Sequence, residues 1–238
     1  AFKKCLSLTS IDIPDGVTKI SQRTFEHCEN IEKISLPNSV VTFEEGAFTD
    51  CYDLIDFQIP SSVQFIDGGC FYNCRSLVNV VVPNGVGNIP MTAFGECYNM
   101  ETISIPESVL YIGMLAFFRC EHLLYLDIPE GCREIQFGAI NTCYRLKNVT
   151  FPSSLEVIGP DNFVDCNEIE AFYVYCIKSP TCDSFLSSYT GTVQFLNGYS
   201  STEFCGRNVY TLFFTIDNKP QVYKIIRVGL FLFPLILP

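Results

Sequence analysis

Apolar residues recur along most of this chain in a fixed frame of 23 residues. In each frame a proline is followed by two apolar residues three positions apart, then by a small residue and an aromatic one, and finally by a short alternating stretch. Proline occupies positions 14, 37, 60, 83, 106, 129 and 152, and cysteine occupies positions 5, 28, 51, 74, 97, 120, 143 and 166. A period that holds without slip indicates an array of stacked repeats, in which each coil buries its core against its neighbours.

The stretch 106–128, PESVLYIGMLAFFRCEHLLYLDI, shows what each part of the unit predicts. Pro106 fixes φ and the following Ser108 tolerates turn geometry, so we expect the chain to bend here in every coil. Val109 and Ile112 are expected to point inward. The first half of the unit therefore predicts a turn followed by a buried stretch.

The second half of the unit predicts a helical turn and a strand. Phe117 and Cys120 are three residues apart, so we expect one short helical turn on the outer arc of each coil, with both side chains inside. The triplet 126–128 alternates apolar and polar residues, which is typical of a short strand with its middle residue outward. With parallel strands roughly 4.8 Å apart, eight coils would form a rod about 38 Å long.

The run Cys-x-x-Leu-x-x-Ile-x-Ile-Pro resembles the strand segment of leucine-rich repeats. With the preceding Ile-x-x-x-Ala-Phe-x-x-Cys, it resembles the BspA-like leucine-rich repeat family, the surface antigen type. The resemblance covers residues 1–174 in eight copies and ends where Tyr175 replaces the next proline. It implies a right-handed, mainly β superhelix with short parallel strands and short helical turns. It also implies a secreted or cell-surface protein that adheres to host or neighbouring-cell proteins without catalysis.

Residues 175–238 lose the period, and we expect them to cap the array. Residues 191–196 predict a strand, and 210–216 with 221–226 predict a hairpin. The apolar tail 228–238 is too short to span a bilayer, so three interpretations stay open: the start of a membrane anchor, a strand packed on the last coil, or an aberrant end. Because the chain begins inside a repeat, we expect it to be a fragment whose compartment its N-terminus does not reveal.

The formal net charge of −11 lies in the repeats. Residues 1–174 carry 10 Lys and Arg against 23 Asp and Glu. Nucleic acids require a basic face, and anionic membranes attract polybasic segments, so neither is the predicted partner. Partner proteins, or glycans, remain.

The cysteine column could indicate a metal site or a disulfide ladder, but the expected arrangement of its side chains favours buried thiols. Zinc needs about four converging ligands, whereas one sulfur per coil forms a line. Side chains in one column point parallel rather than at each other, which disfavours bridges. Cys176 and Cys182, beyond the array, are close enough in sequence to bridge in an oxidising compartment, and free thiols are equally compatible.

No catalytic or cofactor motif is present in the sequence. The only histidines, His27 and His122, fall in polar columns that we expect to be exposed, and neither has a nucleophile fixed beside it. We therefore predict no enzyme activity, no cofactor and no metal.

The outward columns of the predicted strands are the candidate binding surface. Their side chains are mostly small, polar and mildly acidic, and two tyrosines could serve as anchors. The predicted partner-binding residues are Asp12, Lys33, Ser35, Asp56, Gln58, Thr102, Ser104, Tyr125, Asp127, Asn148, Thr150 and Tyr173. Residues 148–150 also form a glycosylation sequon on this surface.

The sequence is also compatible with two alternatives to a surface adhesin. An intracellular scaffold is favoured if the column thiols are reduced in the cell and no signal sequence exists upstream. A targeting arm of a larger enzyme, with the catalytic domain outside this chain, would use the same repeats.

Overall fold

The computed structural model describes residues 1–55, 57–175, 181–182, 193–196, 203–204, 207–216 and 219–226. Within these ranges the chain forms strands and turns, with no α-helix. None of the described segments is a helix that could cross a bilayer. The strands are β1 (Ser10–Asp12), β2 (Lys19–Ile20), β3 (Lys33–Ser35), β4 (Thr42–Phe43), β5 (Phe65–Ile66), β6 (Asn79–Val81), β7 (Asn88–Ile89), β8 (Thr102–Ser104), β9 (Tyr111–Ile112), β10 (Tyr125–Asp127), β11 (Glu134–Ile135), β12 (Asn148–Phe151), β13 (Val157–Ile158), β14 (Ala171–Val174), β15 (Thr181–Cys182), β16 (Val193–Leu196), β17 (Glu203–Phe204), β18 (Arg207–Ile216) and β19 (Lys219–Ile226).

The longer strands of the repeats stack as a parallel ladder along one side of a β-solenoid. β1 pairs with β3, β6 with β8, and β10 with β12 and then β14. Each pairing is offset by one repeat, as in Ser10 opposite Lys33 and Tyr125 opposite Asn148. The predicted parallel stack is confirmed, although most of these strands begin one residue earlier than the predicted triplet.

A second parallel ladder of two-residue strands was not predicted. It comprises β2, β4 and β5 in one sheet, and β7, β9, β11, β13 and β15 in another. The sequence marks only the inward residue of each strand, such as Ile20 or Ile112, which is buried as expected. A strand of two residues is too short to show alternation of period two.

The predicted helical turn on the outer arc is wrong. In the arc at residues 21–28, the N–H groups of Arg23, Phe25 and His27 donate to carbonyls 22 residues further on, in the next coil, at 2.8–3.0 Å. The N–H groups between them donate within the coil, three residues back. Because alternate N–H groups point at the neighbouring coil, the arc is a series of turns instead of a helix.

Left-handed backbone conformations make this alternation possible. Arg23 and His27 have φ of 53° and 59°, and the same two columns have positive φ in each described arc. A residue in this region cannot continue a right-handed helix. The first column contains Gly46, Gly69 and Gly138, but most residues in the two columns are not glycine.

The core is built from columns of identical side chains. The phenylalanines of six successive arcs stack nearly parallel, with ring centroids 5.2–6.0 Å apart and planes within 8° of each other. The six rings are Phe2, Phe25, Phe48, Phe71, Phe94 and Phe117. At this spacing the rings are offset, which is the favoured geometry for stacked aromatics.

Beyond the repeats, the main ladder continues with a change of direction. β16 pairs in parallel with β14 through Tyr173 and Gln194, and β19 then pairs antiparallel with β16. β18 is antiparallel to β19, with Ile216 opposite Lys219, and β17 is antiparallel to β18. The apolar tail 228–238 lies outside the described residues.

Replacing one ring of the phenylalanine stack should destabilise the protein strongly. Phe71 is fully buried between Phe48 and Phe94, so Phe71→Ala should lower the free energy of unfolding by about 3–5 kcal/mol. Phe65, also a phenylalanine but 60% exposed, is the matched control, and Phe65→Ala should cost less than about 0.5 kcal/mol. Urea unfolding followed by far-UV circular dichroism measures both. Equal midpoints for the two variants would contradict the described core.

Candidate functional site

The candidate binding surface is the outward side of the main ladder, which we call the strand face. The strand pairings place its predicted residues in rows, one row from the first residue of each strand and one from the third. Seven predicted residues are exposed: Asp12, Lys33, Gln58, Thr102, Ser104, Tyr125 and Asp127. Four are half-buried: Ser35, Asn148, Thr150 and Tyr173. Asp56 lies outside the described residues.

Hydrogen bonds between neighbouring coils order the polar side chains of the strand face. The Thr102 hydroxyl donates to Asn79 Oδ1 at 2.7 Å, and the Thr150 hydroxyl donates to Asp127 Oδ1 at 2.6 Å. Opposed threonine and polar residues on neighbouring strands stabilise a sheet in this way. These contacts hold the donors and acceptors of the face in fixed positions.

One patch of the strand face contains two tyrosines, a threonine and an aspartate. Tyr125, 51% exposed, begins β10, and Tyr173 lies two coils further along, in the row of Asp127 and Thr150. The strands of the two tyrosines are therefore roughly 10 Å apart along the stack, with Asp127 in the strand of Tyr125 and Thr150 in the coil between them. Such an arrangement offers amphipathic contact area at both ends and a carboxylate beside the first tyrosine.

The main ladder is interrupted where Phe57 replaces the usual aliphatic residue. No strand forms at residues 57–59, between β3 and β6. The Phe57 ring turns inward and packs edge-on against Phe48 and Phe71, with centroids 5.0 and 5.2 Å away. A pocket of about 80 Å³ opens beside it, with Gln58 and Asn79 among its lining residues. This replacement thus marks a gap in the strand face.

Seven of the eight column cysteines are buried, as predicted, whereas Cys5 in the first coil is half-buried. From Cys28 onwards, each column thiol donates to the carbonyl of the residue 26 positions earlier, which is a phenylalanine in all but the last coil. The pairs are Cys28 with Phe2, Cys51 with Phe25, Cys74 with Phe48, Cys97 with Phe71, Cys120 with Phe94, Cys143 with Phe117 and Cys166 with Ile140, at 3.0–3.8 Å. The ten cysteines of the described repeats are free thiols. Cys176 and Cys205 lie outside the described residues, as does the side chain of Cys182.

Burial keeps these thiols uncharged. It raises the pKa of Cys97 from 9.0 to about 12 and that of Cys132 to about 11, because a thiolate would lose its hydration. It also raises the pKa of Cys74 and Cys120 well above the ordinary value. The thiolate is the form that acts as a nucleophile or a metal ligand. Because these thiols stay neutral, we assign them a packing role in the core. No cluster of His, Cys, Asp and Glu that could hold a metal occurs in the described part of the chain.

The two histidines are half-buried, not exposed as predicted. His122 Nδ1 lies 2.8 Å from the Tyr98 carbonyl, and His27 Nδ1 lies 3.3 Å from Asp50 Oδ2. His27 lies one position before the core cysteine and His122 two positions after it, and each contacts a residue of a neighbouring coil. Both histidines therefore have structural partners.

A stack of arginine and tyrosine was missed by the sequence analysis. The Arg75 guanidinium lies 4.2 Å from the centroid of the Tyr52 ring and 5.7 Å from that of Tyr98, and Arg119 lies 5.2 Å from Tyr98. Such cation–π contacts contribute roughly 0.5–1 kcal/mol each at exposed sites. The available signal was the residue after the column cysteine, which is Tyr52, Arg75 and Tyr98 in successive repeats.

Comparison with known proteins identifies the repeat. The family model of the BspA type leucine rich repeat region, in six copies, matches residues 1–120 and 87–203. A leucine-rich repeat protein from Bacteroides ovatus is 26% identical, with a TM-score of 0.58 over 72% of this chain and 50% of that one. The T. pallidum leucine-rich repeat protein is 26% identical, with a TM-score of 0.63 over 68% of this chain and 78% of that one.

The matches differ in how much of each relative they cover and in sequence identity. The chain covers only half the length of the Bacteroides ovatus protein. The pneumococcal vaccine antigen PcpA, 16% identical with a TM-score of 0.50 over 74% of this chain and 59% of its own, shares the fold alone. Among curated proteins, none matches this chain.

The buried thiols should make stability fall at alkaline pH. In the unfolded chain a thiol ionises from about pH 9, whereas folded Cys97 stays neutral to about pH 12, so the unfolded state alone loses the proton. The stabilisation is complete below about pH 8 and is lost as pH rises. Between about pH 8 and 10.5, the free energy of unfolding should fall on the order of 2 kcal/mol more for the wild type than for Cys97→Ala.

Urea titrations across this pH range measure the difference. Val86→Ala, which also truncates a buried side chain but removes no titrating group, should run parallel to the wild type. A Cys97→Ala curve parallel to both would show that the thiol ionises equally in the folded and unfolded states.

Proposed function

Because the chain belongs to the BspA-type leucine-rich repeat family, we propose that it is a non-catalytic binding module that adheres to proteins on the surface of a host or neighbouring cell. Leucine-rich repeats generally bind proteins, and their fold is generally non-catalytic. In this proposal residues 1–174 form the binding array and residues 175–238 cap it. Glycans attached to the partner protein are a secondary ligand class.

The observation that carries the proposal is the strand face between Tyr125 and Tyr173. Its side chains lie in register on a rigid parallel ladder, so binding requires little loss of conformational freedom. Tyr125 is half exposed although the fold places no requirement on its column, which holds Lys33, Asn79 and Thr102 in other coils. Tyrosine is among the residues that contribute most to protein interfaces.

The charge of the repeats supports a partner with a basic patch. Asp12 and Asp127 are exposed on the strand face, and residues 1–174 carry an excess of acidic residues. Acidic surfaces attract basic ones over distances of about 8–10 Å at physiological salt, which speeds association. The partner is therefore expected to present lysine or arginine beside an apolar surface.

The free thiols favour a second candidate function, an intracellular scaffold. Ten unpaired cysteines are typical of a reducing compartment, whereas secreted proteins commonly pair theirs. The two candidates share the strand face and differ in where the protein resides. Labelling intact and permeabilised producer cells with an antibody against the repeats separates them: signal on intact cells supports the adhesin, and signal only after permeabilisation supports the scaffold.

Removing the two tyrosines and the aspartate in the strand of Tyr125 should abolish adhesion. Fluorescently labelled protein is added to cultured epithelial cells, and binding is measured by flow cytometry. The triple variant Tyr125→Ala, Asp127→Ala and Tyr173→Ala should bind at least about tenfold more weakly, as expected when central aromatic contacts are lost. Trypsin treatment of the cells should remove binding of the wild type.

The matched control replaces the same residue types elsewhere on the surface. Tyr111 and Tyr144 are 37% and 41% exposed, and Asp53 is exposed, all outside the strand face. Their triple alanine variant should bind like the wild type. If the strand-face variant also kept full binding, another surface would carry adhesion, and if the wild type bound no cells, the adhesion proposal would be rejected.

A further inference from the structure

A second surface feature lies on the opposite part of the coil, along the outer arc. It is an open groove of about 700 Å³, which we call the arc groove. Gly46, Gly68 and Gly69 form part of its lining, together with Met91, Leu115 and Phe118 towards its other end. None of the residues predicted for the strand face contributes to it.

The arc groove exists because side chains are missing from columns that are filled in other coils. The column of Gly68 contains Glu45, Met91, Met114 and Phe137. Gly68 does not have a positive φ, and a Cβ atom added there would meet only the Met91 carbonyl oxygen, at an ordinary 3.4 Å. The backbone therefore does not require glycine at this position.

The backbone does not require glycine at position 69, in the adjacent column, either. Its φ is 61°, but Thr92 and Leu115 occupy the same column with φ of 51° and 54°. A Cβ atom on Gly69 would have its nearest contact at 3.6 Å, with the Thr92 hydroxyl. Since larger residues fit this backbone, the gap is a property of this sequence and not of the repeat fold.

The two ends of the arc groove differ in chemistry. At one end the side chain of Glu45 is 58% exposed and lies 3.5 Å from Arg23, and Asp67 is exposed and makes no ion pair with a described residue. At the other end Met91 is 50% exposed, beside the half-buried Leu115 and Phe118. The charged lining residues Arg23, Glu26, Glu45 and Asp67 leave a net negative charge towards the first end, so this end and the apolar row together form a complementary surface for an amphipathic segment.

The apolar end extends beyond the groove along the same column. Met114 and Phe137 are 37% and 43% exposed and follow Met91 in successive coils. Exposed apolar residues scattered singly need no explanation, whereas a contiguous row marks an interaction site. Methionine is a flexible side chain that adapts to different apolar partners.

The dimensions of the groove fit an extended peptide. Glu45 and Leu115 are three coils apart, about 14 Å along the stack. An extended chain covers this distance in four to five residues at roughly 3.3 Å per residue. We propose that the arc groove binds an extended segment of a partner protein in which a basic pair precedes an aromatic or aliphatic pair by about two residues. This site is separate from the strand face and does not depend on the adhesion proposal.

The test uses a synthetic probe with this pattern, the fluorescein-labelled hexapeptide Lys-Arg-Ser-Ser-Leu-Phe with an amidated C-terminus. Fluorescence anisotropy is expected to give a Kd of ~100 µM or tighter for the wild type. Replacing the basic pair with Glu-Glu, or the apolar pair with Ser-Ser, should weaken binding at least about fivefold. Binding of the original probe should also weaken as salt is raised, because salt screens the carboxylates.

Gly68→Phe fills the groove and should weaken probe binding at least about tenfold. Gly87→Phe is the matched control, because a Cβ atom on Gly87 meets nothing within 4 Å and Gly87 lies outside the groove. It should bind the probe within about twofold of the wild type. Asp67→Lys should weaken binding through charge alone, and Glu107→Lys, an exposed acid elsewhere, should not. The charge pair tests the site even if Gly68→Phe fails to fold.

The outcomes separate this proposal from adhesion through the strand face. The triple variant of Tyr125, Asp127 and Tyr173 should bind the probe like the wild type. If that variant lost the probe while a folded Gly68→Phe or Asp67→Lys kept it, or if the wild type did not bind the probe at ~1 mM, the arc groove would be rejected as the site. Loss of cell adhesion with intact probe binding would concern the strand face alone.

Discussion

Hydrogen bonding between coils is the constraint on which the rest of the structure depends. Successive arcs donate alternate N–H groups to carbonyls of the next coil, and the strands of the repeats pair with strands one repeat away. A one-residue insertion or deletion within an arc or a strand would shift its donors relative to the acceptors of the next coil and leave buried groups unpaired. This accounts for a 23-residue period without slip. It also accounts for the turns of the arc, because an α-helix would direct all of its N–H groups within the coil.

Because the period is fixed, each inward position forms a column along the stack, and different columns fill different parts of the core. Phenylalanine stacks on phenylalanine, and cysteine fits the narrower space between the arc and the strand. The Phe25 carbonyl accepts both the backbone N–H of Cys28 at 2.9 Å and the Cys51 thiol at 3.3 Å. A thiol suits this second contact since it is a weak donor that loses little when dehydrated, as in a small apolar residue. The column that looked reactive in the sequence is therefore a packing element.

The sequence predicts the parts of the fold that follow from side-chain periodicity, and it misses those that depend on the backbone. The stack, the inward columns and the rows of the strand face are all visible as a 23-residue period. The left-handed residues of the second column cannot be recognised from this period, because His27, Asp50 and Glu96 stand where glycine would have indicated the conformation. Without that signal, the spacing of Phe117 and Cys120 favours a helix. The arc groove could not be predicted from the sequence for another reason. It arises from the absence of side chains at Gly46, Gly68 and Gly69, and a periodic pattern of apolar residues does not reveal where an outward side chain is missing.

Outward positions are free to vary because the coil-to-coil bonds use backbone groups and the core uses inward side chains. Neither constraint reaches Tyr125 or Gly68, so a tyrosine in one outward column and a glycine in another cost the fold little. The strand face gains a surface by adding side chains to a flat, rigid ladder, whereas the arc groove gains one by omitting them from a row that is otherwise filled. A flat face with hydrogen-bonded rows suits the folded surface of a partner, and a groove about three coils long suits an extended segment. One solenoid can therefore present two surfaces of different shape and chemistry without any change in its core.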